Sequence, residues 1–511
     1  MEAIELGHEG VAPAEVIAVA RASAPVSLSP GALEAMQRAA AIVARLDESE
    51  EPVYGVSTGF GSLARVRIAA DRREELQRAL VRSHAAGMGP EIEPEVVRAM
   101  MFLRARTLAM GYSGTRPVVA EAILALLNAG LTPVVPEYGS LGASGDLAPL
   151  AHCALALIGE GEVLAADGSR RPAGQAMAEA GIAPLELTAK EGLALINGTD
   201  GILAMLVLAI AELWQLLRVA DVTAAMSVEA LLGTDRAFAA ELLALRPQPG
   251  QADSAANLRA LLDASEIVAS HRYGDPRVQD AYSLRCAPQV NGAARDTLAH
   301  AERVAGFELH AAIDNPMVLP DGRVESCGNF HGAPVAFACD FLALAIADVG
   351  SIAERRTDRL LDAGRSHGLP PFLAEDPGVN SGLMLAHYAQ AALVAENRRL
   401  AAPASADSIP TSAMQEDHVS MGWGAARKLR TATANLARIL AVELITSARG
   451  LDLREPLKPA AGTAAALSAT RARVAGPGPD RFLAPELAAA AELVGSGELL
   501  QAVEREIGAL R

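Results

Sequence analysis

From about residue 71 onward, apolar residues recur at three- and four-residue intervals, the spacing of a helix with one buried face. Asp71, followed three places later by Glu74, reads as a capping box. Leu76, Leu80 and His84 then follow at i, i+4 and i+8 until Gly87, which puts His84 on an inward face. The same period predicts helices over 93–110, 116–129 and 202–232, and very long ones over 334–363 and 422–449. A thirty-residue helix reaches about 45 Å and cannot bury its apolar stripe against a compact domain alone, so several must pack together, within and between chains. The expectation is a mainly α, oligomeric long-helix bundle (residues 201–511) with a smaller N-terminal region (1–200). Pro and Gly cluster at 246–254, 368–380 and 475–480, which read as loops. No repeat of about 20–50 residues marks a solenoid.

With 511 residues, 51% hydrophobic and 21% charged, the chain has ample material for a core. Its 44 basic against 61 acidic residues give a net charge of −17, which argues against a nucleic-acid partner. Mean hydropathy is +0.22, but apolar runs such as 202–211 stop short of the roughly 20 residues that span a bilayer. The N-terminus, MEAIELGHEG, has no basic region ahead of a hydrophobic stretch. A cytoplasmic protein without membrane association is expected. Cys153, Cys286, Cys327 and Cys339 form no CxxC and read as reduced thiols.

Chemistry should concentrate where polar and glycine-rich stretches interrupt the helices: YGVSTGFG (54–61), GSLGASGDLAPLAH (139–152), NGTD (197–200), QDAYSLRCAPQ (279–289), GNFHG (328–332) and QEDHVSMG (415–422). The glycines at 139, 142 and 145 follow neither nucleotide-binding spacing. Ser144 lacks the GxSxG of a nucleophile elbow, and no HExxH signals a metal. Ala143-Ser144-Gly145 permits something else. If the Gly145 nitrogen attacks the Ala143 carbonyl, no Cβ on Gly145 obstructs the approach, and loss of the Ser144 hydroxyl leaves an electrophilic methylene. On its own, Ala-Ser-Gly is also an ordinary loop tripeptide.

The wider context decides between these readings. GSLGASGDLAPLAH resembles the signature of the aromatic amino-acid ammonia-lyases, whose Ala-Ser-Gly forms the prosthetic group 4-methylidene-imidazol-5-one (MIO). YGVSTGFG, NGTDG, QDAYSLR, GNFHG and QEDHVSMG resemble further family motifs in family order, over roughly residues 50–450. Ser83-His84 resembles the histidine-specific branch, where tyrosine and phenylalanine enzymes usually carry His-Leu or Phe-Leu. Glu416 agrees, because a carboxylate accepts a hydrogen bond from an imidazole N–H and has nothing to offer a benzene ring. Taken singly, His84 also reads as a core histidine and Glu416 as an ion-pair partner. Asp200, Ala287 and Met414 depart from the family pattern at positions assigned no chemistry.

The resemblance implies elimination of ammonia from L-histidine to give trans-urocanate, the first step of histidine degradation, with no external cofactor and no metal. It makes Tyr54 the favoured base, with Tyr282 near MIO and substrate and Glu416 also among the catalytic groups. Arg285 becomes a bidentate clamp on the substrate carboxylate. Asn197 and Gln279 become the amides that hold the MIO oxygen and that carboxylate. His84, Phe330, Met384 and Gln415 would complete the pocket. A phenol needs a lowered pKa to serve as base, so an alkaline optimum is expected. The family's fold implies a homotetramer with shared active sites. A tyrosine or phenylalanine lyase or an aminomutase would use the same electrophile.

Overall fold

The computed structural model describes residues 3–48 and 53–511 and is mainly helical, with four small sheets among the described residues. The long helices fall where periodicity placed them: Pro94–Ala109, Pro117–Asn128, Asp200–Ala230, Ala333–Leu361 and Gly422–Asp452. Two local expectations are corrected. The capping box at Asp71 and Glu74 does not form. A short 3-10 turn, Ala70–Arg72, precedes the Arg73–His84 helix, whose N-cap Arg72 makes no side-chain cap but pairs with Glu75. Within 246–254, Pro249 opens the Pro249–Leu261 helix, because a proline at the first helical position sacrifices no hydrogen bond.

By contacts the chain divides into two units, residues 1–208, 302–339 and 404–427, and residues 209–301, 340–403 and 428–511. The first is built around Pro94–Ala109, in which every residue from Val96 to Ala109 is buried. Three of these are arginines, which use their fixed fork of donors on main-chain carbonyls. Arg98 donates to Val19 and Leu127, Arg104 to Asn197 and Ile313, and Arg106 to Glu308 and Ala311. The guanidinium groups thereby find main-chain acceptors at helix ends and in loops inside the core, two of which, Leu127 and Glu308, also accept from backbone N–H groups.

In the second unit the helices are joined by buried charge. Glu443, fully buried, accepts from Arg356 (Nη2–Oε2 3.0 Å), Thr223 and Ser227 (2.8 Å each). Asp221 accepts from Ser254, Asn257, Asn291 and Arg295 at 2.6–2.9 Å.

Asp200–Ala230 and Ala333–Leu361 are long and apolar enough to cross a membrane by length and composition, which the short apolar runs understated. In the protein 72% and 61% of their most apolar windows are buried, and they carry Asp221, Glu229, Asp340, Glu354 and Arg356 into the interior. All four cysteines are free thiols.

Removing one member of the Arg356–Glu443 pair strands a buried charge, a loss of about 3–5 kcal/mol. Glu443→Leu should therefore unfold at clearly lower temperature by circular dichroism. Arg356→Met/Glu443→Leu should recover most of the difference; equal losses in both variants would contradict this account.

Candidate active site

The Ser144 loop is held from two sides. On one side Gly145 lies against the Asn197–Gly198 backbone: the Asp146 N–H donates to the Gly198 carbonyl at 2.7 Å, and a Cβ on Gly145 would stand 2.1 Å from that oxygen. On the other, the Met421 N–H donates to the Leu141 carbonyl, and a Cβ on Gly142 would meet the Ser420 hydroxyl at 2.1 Å. Gly142 and Gly145 take φ of 95° and 81°, and Ser144 between them takes 49°, a value L-residues other than Asn and Asp seldom adopt. Both glycines of GASG are thus required by space as well as by backbone conformation.

Asp146 anchors the loop to the Asp200–Ala230 helix. Its buried carboxylate accepts from the Gly201 and Ile202 N–H groups at 2.9 Å each, donors exposed at any helix start. Ser140 Oγ lies 3.3 Å from both the Gly145 carbonyl and the Asp146 carboxylate. Burial pushes the Asp146 carboxyl up to about 7 against those hydrogen bonds, with a further push from Asp200.

Ser144 opens on a cavity of about 700 Å³, whose lining includes Tyr54, Arg65, Arg67, Phe330, Gln415 and Glu416. The Tyr54 hydroxyl accepts from the Gly61 N–H at 3.3 Å, and its ring meets Phe60 edge-on. Thr411 donates to Glu416 at 2.8 Å. Ser412, Ala413 and Met414, which precede Gln415 and Glu416, all have positive φ, so this wall too is held in a sparsely populated conformation. His84 is half-buried, with its Nδ1 2.9 Å from the Leu80 carbonyl. Burial lowers the His84 pKa, while the Glu416 charge acts to raise it. The same charge acts on Tyr54, whose pKa is raised chiefly by burial and further by Glu416. An environment that lowers the phenol's pKa, expected from sequence, is therefore not present among the described residues.

Asn197 closes the helix Glu191–Ile196, buried, with its Nδ2 donating to Asp314 (3.2 Å) and to the Asn315 carbonyl (2.7 Å). Its Oδ1 has no partner among the described residues. Gln279, Tyr282, Arg285 and Met384 belong to the second unit and are not among the residues lining this cavity. Gln279 is exposed, Tyr282 is 72% exposed with the Arg285 guanidinium 4.7 Å above its ring, and Met384 starts the Met384–Leu400 helix.

Sequence reasoning passed over Arg65 and Arg67. A signal existed in two arginines placed shortly after the YGVSTGFG motif; Arg65 stands in a turn and Arg67 is bridged to Thr58. It also passed over Lys190, Asp314 and Arg104, whose partners lie far away in the chain. The stacked rings of His331 and His418, 5.7 Å apart, join two of the motif loops.

Comparison with known proteins places this geometry. A profile of the aromatic amino acid lyases matches residues 11–472. The chain belongs to the aromatic amino acid lyase family. It is 63% identical over 511 residues to a histidine ammonia-lyase of Streptomyces avermitilis, covering 100% of both chains. Among solved structures of the family it is similar to a tyrosine aminomutase from Streptomyces globisporus (TM-score 0.94, 39% identity, 100% of both chains). It also matches histidine ammonia-lyase from Trypanosoma cruzi (TM-score 0.91, 38% identity, 99% of this chain and 96% of that one). The full-length identity to histidine ammonia-lyases, within this family, makes the chain a carbon–nitrogen lyase, and the mainly helical fold expected from sequence is the one observed.

The Asp146 carboxyl sets a pH test. Its folded value lies above that of an unfolded aspartate, so the stability it contributes is complete at acid pH and is lost as pH rises through about 7. Melting temperature should fall as pH rises from the acid range to about 7 in the parent protein and fall less in Asp146→Asn, which keeps an acceptor for the two N–H groups. Parallel profiles would contradict this.

Proposed function

We propose that this lyase is a histidine ammonia-lyase, converting L-histidine to trans-urocanate and ammonia. The observation that carries the reading is a carboxylate, Glu416, on the wall of the Ser144 cavity, its charge felt by both Tyr54 and His84. That pairing suits an imidazole, which offers N–H groups to a carboxylate otherwise held by Thr411 alone, whereas a benzene ring offers it none. The 63% identity to a protein named histidine ammonia-lyase, against 39% to a tyrosine aminomutase, supports the same choice.

The tripeptide fits the MIO group: Gly145 has no room for a side chain and Ser144 is held at positive φ between two glycines of the same hand. Once formed, that group supplies an electrophile toward the substrate nitrogen and so makes ammonia a better leaving group. The chain's own residues supply the rest. Glu416 and His84 orient the imidazole, Phe330 and Gln415 shape the pocket, and Tyr54 takes the β-proton at its phenolate oxygen. Because burial and Glu416 hold Tyr54 protonated, its ionisation depends on cations, of which Arg65 and Arg67 share the cavity wall.

The assembly we propose is a homotetramer in which Gln279, Tyr282, Arg285 and Met384 come from neighbouring subunits, Arg285 clamping the substrate carboxylate. The exposure of Tyr282 supports this, as do the uncovered apolar side chains Phe341, Leu344, Leu385 and Tyr388 on two long helices.

Purified protein given L-histidine should produce urocanate, followed by ultraviolet absorbance, at a rate that climbs with pH into the alkaline range. Tyr54→Phe should lose about 10²–10⁴-fold in turnover, the usual worth of a positioned base. Ser144→Ala should be folded and inactive, and Glu416→Gln should lose histidine turnover without loss of assembly. Full activity in Ser144→Ala, or a rate independent of pH down to acid, would overturn the reading.

A further inference from the structure

One carboxylate holds both ends of the short helix that leads to Asn197–Gly198, the backbone against which the Ser144 loop lies. Asp314 Oδ2 accepts from Lys190 Nζ at 2.8 Å, immediately before Glu191–Ile196, and its Oδ1 accepts from Asn197 Nδ2 at 3.2 Å, immediately after it. Lys190 and Asp314 are both 0% exposed, and Lys190 also adopts φ of 69°. Fold stability does not account for these features: a buried ion pair seldom outperforms a well-packed apolar pair, and left-handed backbone at a non-glycine residue is itself unfavourable.

What the clamp delivers is the Asn197–Gly198 backbone. A second buried pair stands behind it: Arg104 donates to the Asn197 carbonyl at 2.8 Å and to Ile313, next to Asp314, and lies 3.3 Å from Asp200. A Cβ on Gly198 would fall 2.3 Å from Arg104 Nη1 and 2.5 Å from Asp200 Oδ2, so Gly198 cannot retreat. Its carbonyl is the surface against which Gly145 lies. The order is charged pair, Gly198, Gly145, with Gly142 backed by Ser420 on the far side of the loop.

We propose that Lys190 and Asp314 are positioning residues for maturation: they hold Asn197–Gly198 as a rigid backing that confines Gly145, whose N–H donates to the Gly142 carbonyl at 3.3 Å, in a closed loop from which its nitrogen can reach the Ala143 carbonyl. This rests on the MIO reading above. In that closure a bond forms between the Gly145 nitrogen and the Ala143 carbonyl carbon. The carbonyl oxygen leaves as water with the hydrogens of the Gly145 and Ser144 nitrogens. The Ser144 hydroxyl leaves as a second water with the Ser144 Cα hydrogen, so no oxidant or reductant is consumed. Confinement substitutes for the orientational freedom that an unconstrained tripeptide would have to lose before the nitrogen could attack.

The test is the intact mass of the full-length purified protein, with helix content by circular dichroism. The parent chain should be short by two waters. Lys190→Met/Asp314→Leu removes both charges and leaves none stranded, so it should fold, with the dehydrated fraction several-fold lower. Asp314→Asn, which can still hold Asn197, should fall between, and Lys190→Arg, which keeps the charged pair, should retain much of the dehydrated fraction. A folded double variant with complete dehydration overturns the proposal; if that variant does not fold, complete dehydration of Asp314→Asn overturns it instead. An unmodified parent chain would overturn the MIO reading itself and this inference with it, whereas normal parent mass with normal variants removes this inference alone.

Discussion

The Gly198 carbonyl occupies the place where a side chain on Gly145 would be, and the site is built outward from that contact. It requires glycine at 145, goes with a Ser144 loop at positive φ, and needs a backing that cannot shift, which Arg104 and Asp200 provide by leaving room only for glycine at 198. Arg104, Asp200, Lys190 and Asp314 form that backing, every one of them buried. Asp146 ties the same loop to the start of the Asp200–Ala230 helix. Packed interiors deform little, so a loop seated on buried ion pairs keeps its shape where a loop on solvent would sample many.

Charge inside an Ala-rich protein serves two purposes here. Arginines within Pro94–Ala109 satisfy carbonyls at helix ends and in loops, which lets a helix be buried on all sides. Glu416 is different. It has one hydroxyl partner, from Thr411, and faces a cavity, and its negative charge raises the Tyr54 pKa while favouring a protonated or N–H-donating imidazole nearby. A group that suits the substrate thus works against the base, and cations must offset it. Arg65 and Arg67 on the wall, and the Arg285 that the tetramer reading brings in, are the candidates within this chain.

Long periodic helices were legible because periodicity over thirty residues averages out local exceptions; Asp200–Ala230 and Gly422–Asp452 began and ended within three residues of expectation. Helix starts were less so. Asp71 and Glu74 had the right types for a capping box, yet the preceding 3-10 turn moved the start to Arg73. Tyr54, Ser144, Phe330, Gln415 and Glu416 could be nominated from motifs, and they share one cavity. Asp314 and Lys190 could not, because their significance is a contact across 124 positions, invisible to any local pattern. The direction of the Tyr54 pKa was also beyond sequence, since it depends on burial and on a carboxylate 362 positions away, Tyr54 to Glu416.

The most direct measurement is product formation from L-histidine, L-tyrosine and L-phenylalanine offered separately to the purified protein at mildly alkaline pH and followed by ultraviolet absorbance. Urocanate from histidine, with no cinnamate or coumarate from the other two, is the predicted result. Coumarate or cinnamate in place of urocanate, or a β-amino acid without a free unsaturated acid, would contradict the assignment of Glu416 and His84 to an imidazole.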